Sequence, residues 1–81
     1  MKIVWDEPKR LANIDKHGLD FADLSFEFFL SAVVVPAKDG RSKAIGRLAD
    51  GTVVVIFLNL GSEALSVISM RRARKDERSL I

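Results

Sequence analysis

The sequence predicts an α+β domain in the order β-α-α-β-β-β-β-α: two helices packed on a mostly antiparallel sheet, with a short helix closing the chain. Three observations predict it. Apolar residues recur at helical intervals up to Leu30, and from Ala32 onward they fall in short β-branched runs. Those runs are separated by turn signals at Lys38-Asp39-Gly40, Asp50-Gly51 and Gly61. With 81 residues the chain makes one domain, spanning 1–81, and a chain this short buries only roughly 60% of the surface its unfolded form exposes.

Residues 2 to 5 are short and partly apolar, a strand that runs straight into a helix start. Asp6 is placed to cap that helix, Glu7 suits the positive end of its dipole, and Pro8 costs no hydrogen bond in the first turn. Leu11 and Ile14 supply a narrow buried stripe, while Lys9, Asn13 and His17 define a polar face. Gly18 ends the helix as a left-handed cap, giving a helix over 7–17. A second helix runs from Asp20 to about Leu30, with Phe21, Leu24 and Phe28 inward and Asp23 and Glu27 facing water. Ala32 to Val35 is a strand stopped by Pro36, and Arg41 to Leu48 is the next, joined by a hairpin loop at Ala49-Asp50-Gly51-Thr52 to the strand that follows. Thr52 to Leu58 is apolar almost throughout, as a central strand covered on both faces would be. Asn59 to Glu63 turns the chain again. Leu65 to Arg71 is the last strand, with Leu65, Val67, Ser69 and Arg71 pointing one way and Ser66, Ile68 and Met70 the other. A basic helix over about 73–78 follows.

Composition excludes several classes of chemistry. There is no cysteine, so neither a disulfide framework nor a thiolate metal site is available, and a small fold without either suits a reducing, cytoplasmic setting. Asp6 interrupts the N-terminal stretch too early for the apolar core of a signal peptide, and the run from Val53 to Leu58 falls far short of a membrane span. A single histidine with scattered carboxylates has no metal-ligand spacing, and no GxxxxGK[ST], GxGxxG or GxSxG pattern occurs. No cofactor is therefore expected. What remains is charge: the formal net charge is +2, and residues 71 to 78 concentrate five basic side chains (Arg71, Arg72, Arg74, Lys75, Arg78) against two acidic ones (Asp76, Glu77).

That basic run follows a strand, so its guanidiniums sit at the rim of a rigid sheet, where forked donors grip phosphates such as those of an RNA backbone. A solvated tail, or a surface for an acidic partner, reads the same way from charge alone. His17, with an unperturbed pKa of ~6.5, is a candidate proton carrier; a histidine just before a capping glycine equally stabilises a helix C-terminus by its charge. Trp5 reads as a core anchor in preference to a base-stacking platform, and Phe21, Phe26, Phe28 and Phe29 as core or a partner-binding surface. Arg41, Lys43 and Arg47 alternate along one strand face, either widening the positive surface or simply facing solvent.

Trp5-Asp6, Lys9, Asn13, Lys16-His17-Gly18 and Phe21, then Arg41 before Ile45-Gly46, the strand from Val53 to Phe57, and finally Ile68-Ser69-Met70-Arg71-Arg72-Ala73 with Glu77-Arg78 form an ordered series. In order, spacing and total length the series resembles the BrnT toxins, and the resemblance spans nearly the whole chain. It implies a RelE-like fold, RNA cleavage that halts translation, and neutralisation by a BrnA-type antitoxin, with operator DNA bound only through the antitoxin complex. The chain departs from that pattern after Pro36, where only Asp39 stands for the usual His and Glu, and near Leu60 and Ser66, where arginines are missing. Met70 also replaces a small residue, and the aromatic tail beyond Arg78 is absent.

The expected mechanism is metal-independent RNA cleavage, with arginine stabilising the charge of a pentacovalent transition state. Arg71 and Arg72 are the expected phosphate clamps and Arg41 a supporting cation. His17, Lys43 and Glu77 are the proton-transfer candidates, and Arg74, Lys75 and Arg78 extend the RNA-binding surface. The alternative is a catalytically weak or inactive module that holds an antitoxin and tunes operon repression.

Overall fold

A computed structural model describes residues 1–81. The elements are β1 (Lys2–Trp5), α1 (Glu7–His17), a 3-10 turn (Phe21–Asp23), α2 (Phe26–Ser31), β2 (Val33–Pro36), a second 3-10 turn (Lys38–Gly40), β3 (Ser42–Leu48), β4 (Gly51–Leu60), β5 (Ala64–Arg72) and α3 (Lys75–Arg78). The order of helices and strands is the expected one. The five strands form one sheet in the order β1-β5-β4-β3-β2, antiparallel except for the pairing of β1 with β5. No helix is long and apolar enough to cross a membrane.

Helix α1 starts after Asp6 and stops at Gly18, whose φ of 69° lets its backbone N–H close on the Ile14 carbonyl. Asp6 holds the cap position, but its side chain accepts no capping hydrogen bond, contrary to expectation. The buried face of α1 also differs from the apolar spacing. Leu11 is 56% exposed, whereas Asn13, expected on the polar face, is buried. The reason is a pair of backbone groups that need partners: Asn13 Nδ2 donates to the Leu19 carbonyl at 3.0 Å, and its Oδ1 accepts from the Met70 N–H at 3.1 Å. β1 covers β5 only as far as Val67, so Asn13 supplies what a neighbouring strand would have given Met70.

The single helix expected over 20–30 is two pieces. Asp20 and Ser25 each cap a separate turn, accepting from Ala22 N–H at 2.9 Å and Phe28 N–H at 3.3 Å, and Leu24 between them is extended. Competition from a second capping side chain breaks the helix. Phe21, Leu24 and Phe28 are nonetheless all buried.

They lie on the first face of the sheet, packed over Ala44, Val53, Val55, Phe57, Leu65, Val67 and Met70. Trp5 meets the Phe21 ring edge-on at 6.3 Å and belongs to this core, as a lone tryptophan should. Phe26, by contrast, is exposed. On the second face, Ile45, Val54 and Ala73 form a smaller apolar cluster. Val53, Val54 and Val55 are therefore all buried, and β4 is the doubly covered central strand. The β3–β4 loop is Ala49-Asp50, with Leu48 paired to Gly51, one residue earlier than the turn signal indicated.

The largest departure lies in β5. Ile56 pairs with Ser69 but Phe57 pairs with Val67, which leaves Ile68 as an extra, bulged residue. Simple alternation puts Met70 opposite Leu65 and Val67; with the bulge, all three share the first-face core. Arg71, which alternation would have turned toward that core, is directed to the second face.

Candidate functional site

Arg71 pairs across the sheet with Val54, a second-face residue, while Arg72 pairs with Val53, a first-face residue. The two arginines expected to act as one clamp therefore point to opposite sides. Arg72 Nη1 donates to the Asp50 carbonyl at 3.2 Å at the β3–β4 turn. It borders a cavity of about 400 Å³ with Leu19, Asp23 and Leu48.

On the second face the chain leaves β5 through Ala73, whose N–H still bonds the Thr52 carbonyl at 3.0 Å and whose side chain is buried. This anchor brings α3 back across the sheet and drops Glu77 between β5 and β3. The Glu77 side chain is only 6% exposed. Its Oε1 and Oε2 accept the two arms of the Arg71 fork at 2.7 and 2.8 Å. Lys43 Nζ donates to Oε2 at 3.2 Å, and the Arg74 N–H to Oε1 at 2.8 Å. That last bond is half of a capping box; a guanidinium has no acceptor with which to complete it.

The Arg71 fork, with the Arg74 N–H and Lys43 behind it, holds the Glu77 carboxyl well below the usual carboxylate range, overcoming the opposing effect of burial. The same contact raises Arg71. Glu77 is thus a fixed anion. Arg71 and Lys43 remain about 29% exposed at the side chain, so a cation pair is held in place from below and open to solvent above. Arg71 uses three N–H groups on Glu77 and the Arg72 carbonyl, which leaves two of a guanidinium's five donors free.

The structure therefore brings together Arg71, Lys43 and Glu77 from the expected set. Arg74, Lys75 and Arg78 are exposed on and beside α3, and Arg78 Nη1 caps the Ala73 carbonyl at 3.3 Å. Arg41 is exposed one residue before β3, with its backbone tied into the preceding turn. His17 lies elsewhere, exposed at the end of α1, in a groove of about 290 Å³ with Lys9, Asn13, Lys16, Ile68 and Ser69. The groove and the cation pair are linked through the sheet: Ser69 pairs with Ile56, and Ile56 with Lys43, all in one row.

Two residues take structural roles that their spacing in the sequence did not signal. One is Asn13, whose spacing matched a solvent-facing stripe. The other is Arg10, which clamps Asp20 at 2.7 and 3.0 Å and Glu7 at 2.7 Å, tying α1 to the turn after it. Arg10 holds Asp20 below its ordinary range. An arginine ten residues from its partner gives no periodic cue.

Comparison with known proteins bears directly on this arrangement. Residues 5–77 match the family model described as the ribonuclease toxin BrnT of a type II toxin–antitoxin system. The crystal structure of the Brucella abortus ribonuclease toxin BrnT superposes with a TM-score of 0.87 and 64% sequence identity, covering 93% of this chain and 99% of that one. Among curated proteins, nothing matches the chain. The family match runs from Trp5, the last residue of β1, through β2 to β5 and takes in Lys43, Arg71 and Glu77, so the chain belongs to the BrnT family of ribonuclease toxins of type II toxin–antitoxin systems.

Proposed function

We propose that this chain is an endoribonuclease that cleaves RNA without a metal ion at the second face of the sheet, and that a BrnA-type antitoxin neutralises it. The observation that carries the reading is the buried Glu77, whose carboxylate fixes Arg71 and Lys43 side by side at the surface. Preorganised cations act where charge develops, with no reorganisation during the reaction. In the reaction, the ribose 2′-hydroxyl gives up its proton to solvent water and its oxygen attacks the adjacent phosphorus. The bond to the 5′-oxygen breaks, and a 2′,3′-cyclic phosphate and a 5′-hydroxyl are left, with Lys43 regaining its proton from solvent. Arg71 binds the non-bridging oxygens through its two free donors. Lys43, the member of the cluster with a proton to give, protonates the departing 5′-oxygen. Glu77, held ionised, orients these two cations and carries no proton. Arg74, Lys75 and Arg78 attract the strand, and Arg41 extends the positive surface beside Lys43.

Incubating the purified protein with a single-stranded RNA in excess chelator tests this reading. Cleavage that persists and leaves cyclic-phosphate ends supports it. Metal-dependent cleavage, or a rate unchanged in Lys43→Ala, overturns the mechanism.

One observation favours a second reading, a non-catalytic module that holds the antitoxin and tunes repression of the operon by that complex. Arg71 already spends its fork on Glu77. Tight antitoxin binding without RNA cleavage at any enzyme excess would select the module.

A further inference from the structure

We infer that the groove between α1 and the free edge of β5 is a second phosphate subsite, which binds the RNA strand next to the phosphate held by Arg71 and Lys43. The inference rests on the RNA-cleaving reading above and extends it to residues outside the catalytic cluster.

Lys9, Asn13, Lys16 and His17 recur at helical spacing and form one stripe along α1. Asn13 is consumed by the Leu19 and Met70 backbone. Lys9, Lys16 and His17 are exposed and make no ion pair within the chain; the only ion pairs involve Arg10, Lys43 and Arg71. Three potential cations along one wall of a groove, without an internal anion, suit an external one. The opposite wall is Ile68 and Ser69, the stretch of β5 that β1 leaves uncovered.

The direction of the groove makes it part of an RNA path. From Ser69 the row runs through Ile56 to Lys43, two strand spacings or about 10 Å. An extended RNA strand covers that distance within two nucleotides. Ile56 is half-buried midway and offers an apolar patch on which a ribose or base can rest. Phosphates at the groove and at the cation pair are thereby bound in series, and the ligand class is single-stranded RNA with at least one phosphate beyond the scissile one.

The test is binding of two RNAs made uncleavable by a 2′-deoxy substitution at the scissile position: a dinucleotide with one phosphate and a tetranucleotide with three. The Lys9→Ala/Lys16→Ala variant is compared with Lys2→Ala/Lys38→Ala, which removes the same charge from exposed positions off the groove. The expected result is a tetranucleotide affinity at least about 10-fold weaker in the groove variant only. The slope of log affinity against log salt should also fall by roughly 0.7 for each phosphate that the variant no longer neutralises. Dinucleotide binding should change far less.

Equal losses in the two variants, an unchanged salt slope, or loss of antitoxin binding with RNA binding intact would overturn the subsite. A wild-type protein that binds the tetranucleotide through the groove but never cleaves a ribose-containing RNA would sink the catalytic reading and leave the subsite standing.

Discussion

Replacing Glu77 with Gln keeps the shape of the side chain and removes the charge that organises the second face. The carboxylate receives four hydrogen bonds, three from cationic side chains and one from the Arg74 N–H. Breaking a buried ion pair by removing one partner costs about 3–5 kcal/mol. Arg71 and Lys43 are each about 29% exposed and can regain water, and glutamine retains one acceptor, so the lower end, about 3 kcal/mol, is expected. For a domain of this size each kcal/mol moves the melting temperature by about 4–8 °C, so the variant should melt roughly 12–24 °C below wild type at pH 7.

The pH dependence has a definite sign. Glu77 has a folded-state pKa depressed from its ordinary 4.5, so its contribution is complete above that value and is lost as pH falls below it. The gap between wild type and variant should hold steady from pH 8 to about 5.5 and narrow steadily below about 4.5. Asp20, also depressed, is present in both proteins and cancels. Thermal melts followed by circular dichroism across this range provide the measurement. A variant within about 4 °C of wild type at pH 7, or a gap that does not close in acid, would refute the view that Glu77 is the fixed anion of the site.

Other substitutions separate the roles of neighbouring residues. Arg71→Lys keeps a charge but loses the fork, and the RNA cleavage rate should fall by about 10²–10³, as for loss of one preorganised donor; a fall below about threefold contradicts the assignment. Arg72→Ala, on the opposite face, should change the rate by less than about twofold under the same assay, since single-face geometry keeps it from the scissile phosphate. Gly46→Ala should cost about 1–3 kcal/mol in chemical denaturation, because an added Cβ would lie 2.8 Å from Phe28 Cε1 and 3.3 Å from Ala32 Cβ. Asn13→Ala strands the Met70 N–H and the Leu19 carbonyl, at about 1–3 kcal/mol for each group; hydrogen exchange at Met70 should accelerate, and an unchanged rate there would argue against the bridge.

The parts of the fold set by local chemistry were legible in the sequence. Pro8 and Gly18 bracket α1, and the unbroken run of β-branched residues marks β4 as the central strand. Lys43, Arg71 and Glu77 were each candidates, although nothing in their separate positions indicated that Glu77 would bind the other two. Long-range pairing set what was illegible. Asn13 occupies a helix face that spacing assigns to solvent, and only the shortness of β1 makes its amide necessary inside. Ser25 reads as an ordinary mid-helix serine until its hydroxyl takes the Phe28 N–H. Arg71 and Arg72 read as a pair because they adjoin in sequence, while the pleat drives adjacent side chains apart.

The extra residue at Ile68 gives β5 one residue of slack. From Ala64 to Val67 the odd-numbered side chains enter the first-face core; from Met70 onward the even-numbered ones do. Deleting Ile68 would leave an unbroken ladder in which Val67 and Met70 still face the core and Arg71 still faces Glu77. A single deletion between Leu65 and Ser69 can therefore be absorbed by drawing Ile68 into line. A second deletion finds no slack, and must invert either the inward facing of Leu65 and Val67 or the outward facing of Arg71. Length changes in this stretch thus act on the core and on the Arg71 surface together, with a tolerance of one residue and no more.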